Sequence, residues 1–193
     1  MKKELNARKV NHDNSSLFVD DGINIKDRII HLFDDIDSDS IGKVIKGVQL
    51  MLAANKEPID IYISSLGGDP YSAWGAANFI TLQKDVLIRT HAMGPVMSAA
   101  TIVFLSGDEK ICYENSVFMF HTVSDSTSGK FTVEIKDCYE ECKRIHEDIC
   151  EFYGKYSKTT SKEWAKLLKA NDLYIRPEQA LEMGIVDRIL KPV

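Results

Sequence analysis

Three times between Arg28 and Leu105 the sequence passes from an apolar stretch with strand character, through a polar or Gly/Pro turn, into a segment with helical spacing. Ile29, Ile30, Leu32 and Phe33 precede Asp37, Ser38, Asp39 and Ser40, which are N-cap candidates for a helix carrying Ile41, Val44, Ile45, Val48, Met51 and Leu52 on one stripe. Ile59, Ile61 and Ile63 alternate with Asp60 and Tyr62 before the turn Ser64-Ser65-Leu66-Gly67-Gly68-Asp69-Pro70, and a helix is expected from near Tyr71. Val86 to Thr90 then leads to Gly94-Pro95 and a small-residue helix from about Ser98 to Leu105. This order implies an α/β domain with a largely parallel sheet, because consecutive parallel strands need a crossover long enough to hold a helix.

Further along, Lys110 to Tyr113 and Val117 to Phe120 read as strands, and a polar link from Ser124 to Lys130 precedes a long helix at about 131–154. Trp164, Leu167 and Leu168 mark another helix, and Val186 to Leu190 closes the chain as a strand. Residues 1–25 lack sustained periodicity and include Asn11, His12, Asp13, Asn14, Ser15 and Ser16, so a mobile N-terminal segment is expected before a single domain over 26–193. No internal repeat or linker divides that domain.

Composition narrows the functional classes. With 24 Lys plus Arg against 29 Asp plus Glu, the net charge of -5 supplies no overall basic field for nucleic acid or an anionic membrane. No apolar run approaches the length of a membrane span, and Met1 to Arg8 leads into polar sequence, so a cytoplasmic protein is expected. Cys138, Cys142 and Cys150 join His146 at four-residue steps, which resembles a row of metal ligands. At ~1.5 Å rise per residue, however, Cys138 and Cys150 lie about 18 Å apart, too far for one ion, and a packed helix seam is expected instead, with reduced thiols and no metal.

Ser98 sits at a strand-to-helix junction, where unpaired N–H groups and the helix dipole could stabilise an acyl-transfer oxyanion; serine is also a common N-cap. A serine nucleophile needs a base. His12 lies in the N-terminal segment, His31 inside a strand and His146 on the long helix. His91 and His121, each at the end of a strand, remain as candidates. Gly67-Gly68 would let backbone N–H groups approach a ligand closely, or serve simply as a turn.

From Arg28 to Leu190 the chain resembles the ClpP family, the proteolytic subunits of ATP-dependent Clp proteases, which are self-compartmentalising serine peptidases of crotonase-like fold. The matching residues are Arg28-Ile29-Ile30-His31-Leu32, Ile61-Tyr62-Ile63-Ser64-Ser65-Leu66-Gly67-Gly68, Gly94 with Ser98, and Glu114-Asn115-Ser116 before Phe118-Met119-Phe120-His121. Pro177-Glu178-Gln179-Ala180 and Gly184-Ile185-Val186-Asp187 complete the set. The resemblance implies Ser98 as nucleophile, His121 rather than His91 as general base, and Asp172, eight residues before Ala180, as the third triad member. It further implies a substrate-binding turn at Gly67-Gly68, with the N–H groups of Gly68 and Ala99 as the oxyanion hole. Leu66 replaces the usual proline, Pro95 a common glutamine, Ala99-Ala100 the usual Met-Gly, and Thr122-Val123 the usual Gln-Pro, so the chain resembles a diverged member.

The resemblance carries a functional expectation: serine endopeptidase action on unfolded polypeptides inside stacked heptameric rings of this chain, a tetradecamer, with the helix at 131–154 protruding as the handle between rings. No metal or organic cofactor is needed. With no G-x-x-x-x-G-K-[ST] run in the chain, ATP would be consumed by a partner AAA+ unfoldase. Two rivals are an acyl-CoA hydratase or isomerase on the same fold and a non-catalytic ring subunit.

Overall fold

The isoleucines that alternate from residue 59 to 63 form the centre of a sheet, and every one of them is buried. The computed structural model describes residues 14–124 and 128–191. In chain order the elements are α1 (Asn14–Asp21), β1 (Ile23–Asn24), β2 (Ile29–Leu32), α2 (Ser38–Ala54), β3 (Ile59–Ser65), α3 (Pro70–Thr81), β4 (Ile88–Met97) and α4 (Ala99–Leu105). They continue with β5 (Glu109–Tyr113), β6 (Val117–Phe120), a π-helical turn (Phe131–Ile135), α5 (Lys136–Lys155), α6 (Ser161–Ala170), β7 (Leu173–Ile175), α7 (Pro177–Glu182) and β8 (Arg188–Leu190). The sheet order is β1-β2-β3-β4-β5-β8, and β6 pairs with both β4 and β7. All pairings are parallel except β1 with β2 and β6 with β7.

Local chemistry explains where the helices begin. Asp37 accepts from the backbone N–H of Asp39 and Ser40, and the Ser40 hydroxyl oxygen in turn accepts from the Asp37 N–H, closing a capping box on α2. Asp69 caps α3 from just before Pro70, whose fixed φ suits the first helical position. Such caps are worth about 1 kcal/mol each. Arg28, buried and at φ 58°, donates to the carbonyls of Met51, Glu57 and Pro58, tying the end of α2 to the turn that follows it.

Two features differ from the sequence reading. The strand expected over Val86 to Thr90 runs on to Met97, and Gly94-Pro95 forms no turn. Ile63 faces Ala92 while Ser65 faces Val96, so Met93, Gly94 and Pro95 make a bulge on the β3 side, and Pro95 is already in register with Val117 of β6. At this bulge β4 exchanges β5 for β6 as its partner, which places His91 inside the strand instead of at its end. The second difference is at the N-terminus. Residues 1–13 lie outside the described residues, whereas within the expected mobile segment Asn14–Asp21 are helical and Ile23 is buried at the start of the hydrophobic core.

One contiguous core runs from Ile23 to Val186. Behind the end of β6, Phe120, Tyr153 and Trp164 form a buried triangle with ring centroids 4.9 to 5.1 Å apart. Each such pair adds about 0.5–1.5 kcal/mol beyond simple burial, and together they hold the strand that ends at residue 121 against α5 and α6. The apolar stripe of α5 is divided. Ile145 and Ile149 are buried in this core, while Ile135, Cys138 and Cys142 on the first half remain partly or largely exposed.

Candidate active site

Ser98 occupies the single residue between β4 and α4, at φ 51° and ψ -128°. A non-glycine residue in this region stores about 1–3 kcal/mol of backbone strain, which the surroundings must hold. They do so from both sides. The Ser98 N–H donates to Met119 O at 2.9 Å, and its carbonyl accepts from the Thr101 N–H at 3.0 Å. The bond to Met119 also fixes Ser98 two residues from His121, in continuation of the parallel pairing of Met97 with Met119. As a result the Ser98 hydroxyl oxygen lies 2.7 Å from His121 Nε2. Both side chains are partly accessible and border a cleft whose walls include Gly68, Ala99, Ile102, Val123, Ile149 and Tyr153.

The glycine pair is required by geometry. Gly67 sits at φ 108°, and a Cβ there would stand 2.6 Å from the Ser98 Cβ; Gly68 sits at φ 146°, and a Cβ there would stand 2.3 Å from Ile36 O. No other residue fits either position. Ile36, unremarked in the sequence, latches this turn: its N–H donates to Gly67 O at 2.8 Å and its carbonyl accepts from the Asp69 N–H at 2.7 Å. A parallel bridge of this kind uses the amides flanking Gly68 and leaves the N–H of Gly68, which is itself a residue of the cleft wall, pointing away from Ile36. Ala99 opens α4, so its N–H has no partner within the helix.

Asp172 is reached differently. The antiparallel register of β6 and β7 pairs Phe118 with Ile175, Met119 with Tyr174 and Phe120 with Leu173, and one further step sets His121 opposite Asp172. Asp172 is exposed, and no hydrogen bond joins it to His121 in the single chain. The structure therefore gathers Ser98, His121, Gly68 and Ala99 around one cleft, and Asp172 is not among the residues that line it.

His91, the other histidine candidate, is committed elsewhere. Its Nε2 lies 2.8 Å from Asp60 Oδ1, its ring stacks on Tyr62 at 4.4 Å, and Asp60 also receives two bonds of 2.6 Å from Arg89. Burial alone would raise the Asp60 carboxyl, but the hydrogen bonds from His91 and Arg89 overcome it and hold the carboxyl below its usual range. The two buried cysteines are held as thiols: burial pushes the Cys112 thiol up to about 12 and raises that of Cys150. Among the described residues, no group of three or more His, Cys, Asp or Glu side chains is placed to hold a metal ion. No helix among them is long and apolar enough to cross a membrane.

The fold and the cleft together describe an α/β protein of crotonase-like architecture with a Ser-His pair where a strand hands over to a buried helix. Compared with known proteins, residues 18–193 match the model of the Clp protease family, and the chain belongs to that family. It is 24% identical over 170 residues to the ATP-dependent Clp protease proteolytic subunit of Deinococcus radiodurans, covering 86% of this chain and 81% of that protein. Over 168 residues it is 29% identical to the ATP-dependent Clp protease proteolytic subunit 2 of Treponema denticola, covering 85% and 82% respectively. Among solved structures, a mutant ClpP1 from Listeria monocytogenes superposes with a TM-score of 0.75, covering 87% of this chain and 94% of that one at 21% identity, a likeness of fold. The low identities agree with a diverged member.

Proposed function

We propose that the protein is a serine endopeptidase acting on unfolded polypeptide. The observation that carries this reading is the 2.7 Å contact between Ser98 Oγ and His121 Nε2 inside a cleft that also presents backbone N–H groups. The Ser98 hydroxyl donates to His121 at rest. As its oxygen attacks the scissile carbonyl carbon, His121 takes the proton, and the carbonyl oxygen becomes an oxyanion received by the N–H groups of Gly68 and Ala99. His121 then returns the proton to the leaving amine, which leaves an acyl-serine that water cleaves by the same route. Base catalysis contributes about 100- to 10,000-fold and one oxyanion donor about 100- to 1000-fold, so the constellation must act together. Asp172, opposite His121, orients the imidazole and balances its charge once protonated. The apolar walls at Ile102, Val123 and Ile149 suit an apolar substrate side chain.

In this reading the chain works in stacked heptameric rings fed by an AAA+ unfoldase, with α5 as the ring-to-ring handle; the exposed apolar residues on its first half support that role. A second reading, a ring subunit that assembles without cutting, draws on the exposure of Asp172 and the missing bond to His121. One experiment separates them. A fluorophosphonate probe labels the parent at Ser98 and leaves Ser98→Ala unlabelled if the protein is a peptidase; no labelling of an assembled parent favours the non-catalytic subunit.

A further inference from the structure

Thr101 is the one polar residue of α4, and every residue of that helix is buried. Its hydroxyl must find its partners inside the protein, and it has two. It donates to Ser98 O at 2.6 Å and stands 2.6 Å from the hydroxyl of Tyr153, a fully enclosed residue of α5. A threonine hydroxyl carries one proton, so the bond to Ser98 leaves the Tyr153 O–H as donor in the other. Burial raises the Tyr153 pKa and keeps that proton in place. The bonds thus run in one direction, from Tyr153 to Thr101 and from Thr101 to the carbonyl of the candidate nucleophile. With the Thr101 N–H, that carbonyl accepts two bonds at once.

Planarity turns this into a statement about catalysis. The Ser98 C=O and the Ala99 N–H belong to one trans peptide unit and point in opposite directions. Whatever pins the carbonyl on the core side therefore aims the N–H at the cleft side. The pin is needed because Ser98 sits in a strained backbone conformation that relaxation would rotate.

We propose that Thr101 and Tyr153 are positioning residues that aim the Ala99 N–H at the developing oxyanion and tie that peptide to the long helix α5. This rests on the peptidase reading above. Neither signal was visible in the sequence, where Thr101 is one residue in an apolar run and Tyr153 one position near the end of a helical stripe.

The test uses the full-length protein with Tyr153→Phe, Thr101→Val, Thr101→Ser and the Thr101→Val/Tyr153→Phe double variant. Turnover of a short fluorogenic peptide, fluorophosphonate labelling rate, thermal midpoint and assembly state are measured for each. Complete loss of an oxyanion donor costs about 100- to 1000-fold, so misaiming one through Tyr153→Phe should lower kcat about tenfold and through Thr101→Val about 30-fold, with KM within about twofold. Thr101→Ser, which keeps the hydroxyl, recovers most of the rate. The double variant is no slower than Thr101→Val, because both residues act through one chain of bonds. Parental kcat in Tyr153→Phe and Thr101→Val overturns the proposal even where the thermal midpoint falls, and so do losses that simply multiply in the double variant. If Thr101→Val does not fold, Tyr153→Phe alone decides. A parent inert to both probe and peptide overturns the peptidase reading and this role with it; an active parent with an unaffected Tyr153→Phe overturns this role alone.

Discussion

Phe120 and Leu173 face each other as the last pair of the antiparallel strands β6 and β7, and the next step along each chain is His121 and Asp172. The register of the sheet therefore sets the residue that precedes β7 beside the residue that follows β6. Because Asp172 is exposed and solvated, its field at the imidazole is weaker than that of a buried carboxylate. Asp172→Asn should lower kcat by about 10- to 100-fold, less than the loss expected of a triad with a buried aspartate. Steady-state turnover measured against a Ser98→Ala baseline checks this. Parental turnover in Asp172→Asn would remove it from the proposed triad.

The two candidate histidines, His91 and His121, should separate cleanly. His121→Ala is expected to abolish fluorophosphonate labelling. His91→Ala should retain it while losing about 1–3 kcal/mol of stability, since it deletes a buried ring and one charged hydrogen bond of Asp60. The acid side carries a further signature. The folded pKa of Asp60 is lowered, so its contribution is fully present above the unfolded value of about 3.9 and is lost as pH falls through the folded value. Denaturant melts of parent and Asp60→Asn should differ most near neutral pH and converge below about pH 4. A gap that stays constant across that range contradicts the assignment.

The parallel core was legible because Ile59, Ile61 and Ile63 announce their period and Asp37 and Asp69 announce the helices that follow. Ser98 was legible as a junction, since it stands between an apolar strand and a small-residue helix. The choice between His91 and His121 was not, because the bulge at Met93 to Pro95 lengthens β4 past His91, and a Gly-Pro pair in a bulge reads like one in a turn. Asp172 came only through resemblance. Its placement depends on β7, a three-residue strand too short to show a period, and on a register between segments more than fifty residues apart in sequence.

The turn at Gly67 offers a test of how tightly the nucleophile is held. Gly67→Ala places a methyl 2.6 Å from the Ser98 Cβ and 2.8 Å from Met97 O, at a φ that alanine rarely adopts. The contacts are with backbone and with Ser98 itself, so relief comes by displacing Ser98 from His121. Since small misplacements of reacting groups cost about 100-fold, labelling by the probe should slow by at least that much while circular dichroism stays near parental. Parental labelling would mean that the turn yields instead of the serine.

Assembly is the remaining expectation, and the structure moves its test. Charge at Ile145 or Ile149 does not test it, since both are buried in their own chain, where a charge breaks the fold before any interface. The surface left uncovered lies earlier. Phe131, Ile135 and Tyr139 recur at four-residue steps through the π-helical turn into α5, with Phe131 79% and Tyr139 65% exposed. Large apolar groups repeated on one helical face and turned to solvent mark an interaction surface. Ile135→Glu combined with Tyr139→Glu should therefore leave the thermal midpoint of the subunit nearly unchanged, because neither side chain belongs to the core, while light scattering shows smaller species than the parent assembly. Peptidase activity should fall with it, since the same helix carries Ile149 and Tyr153 in the cleft wall. A parent that is monomeric at micromolar concentration and fully active as a peptidase would show that this face serves another purpose.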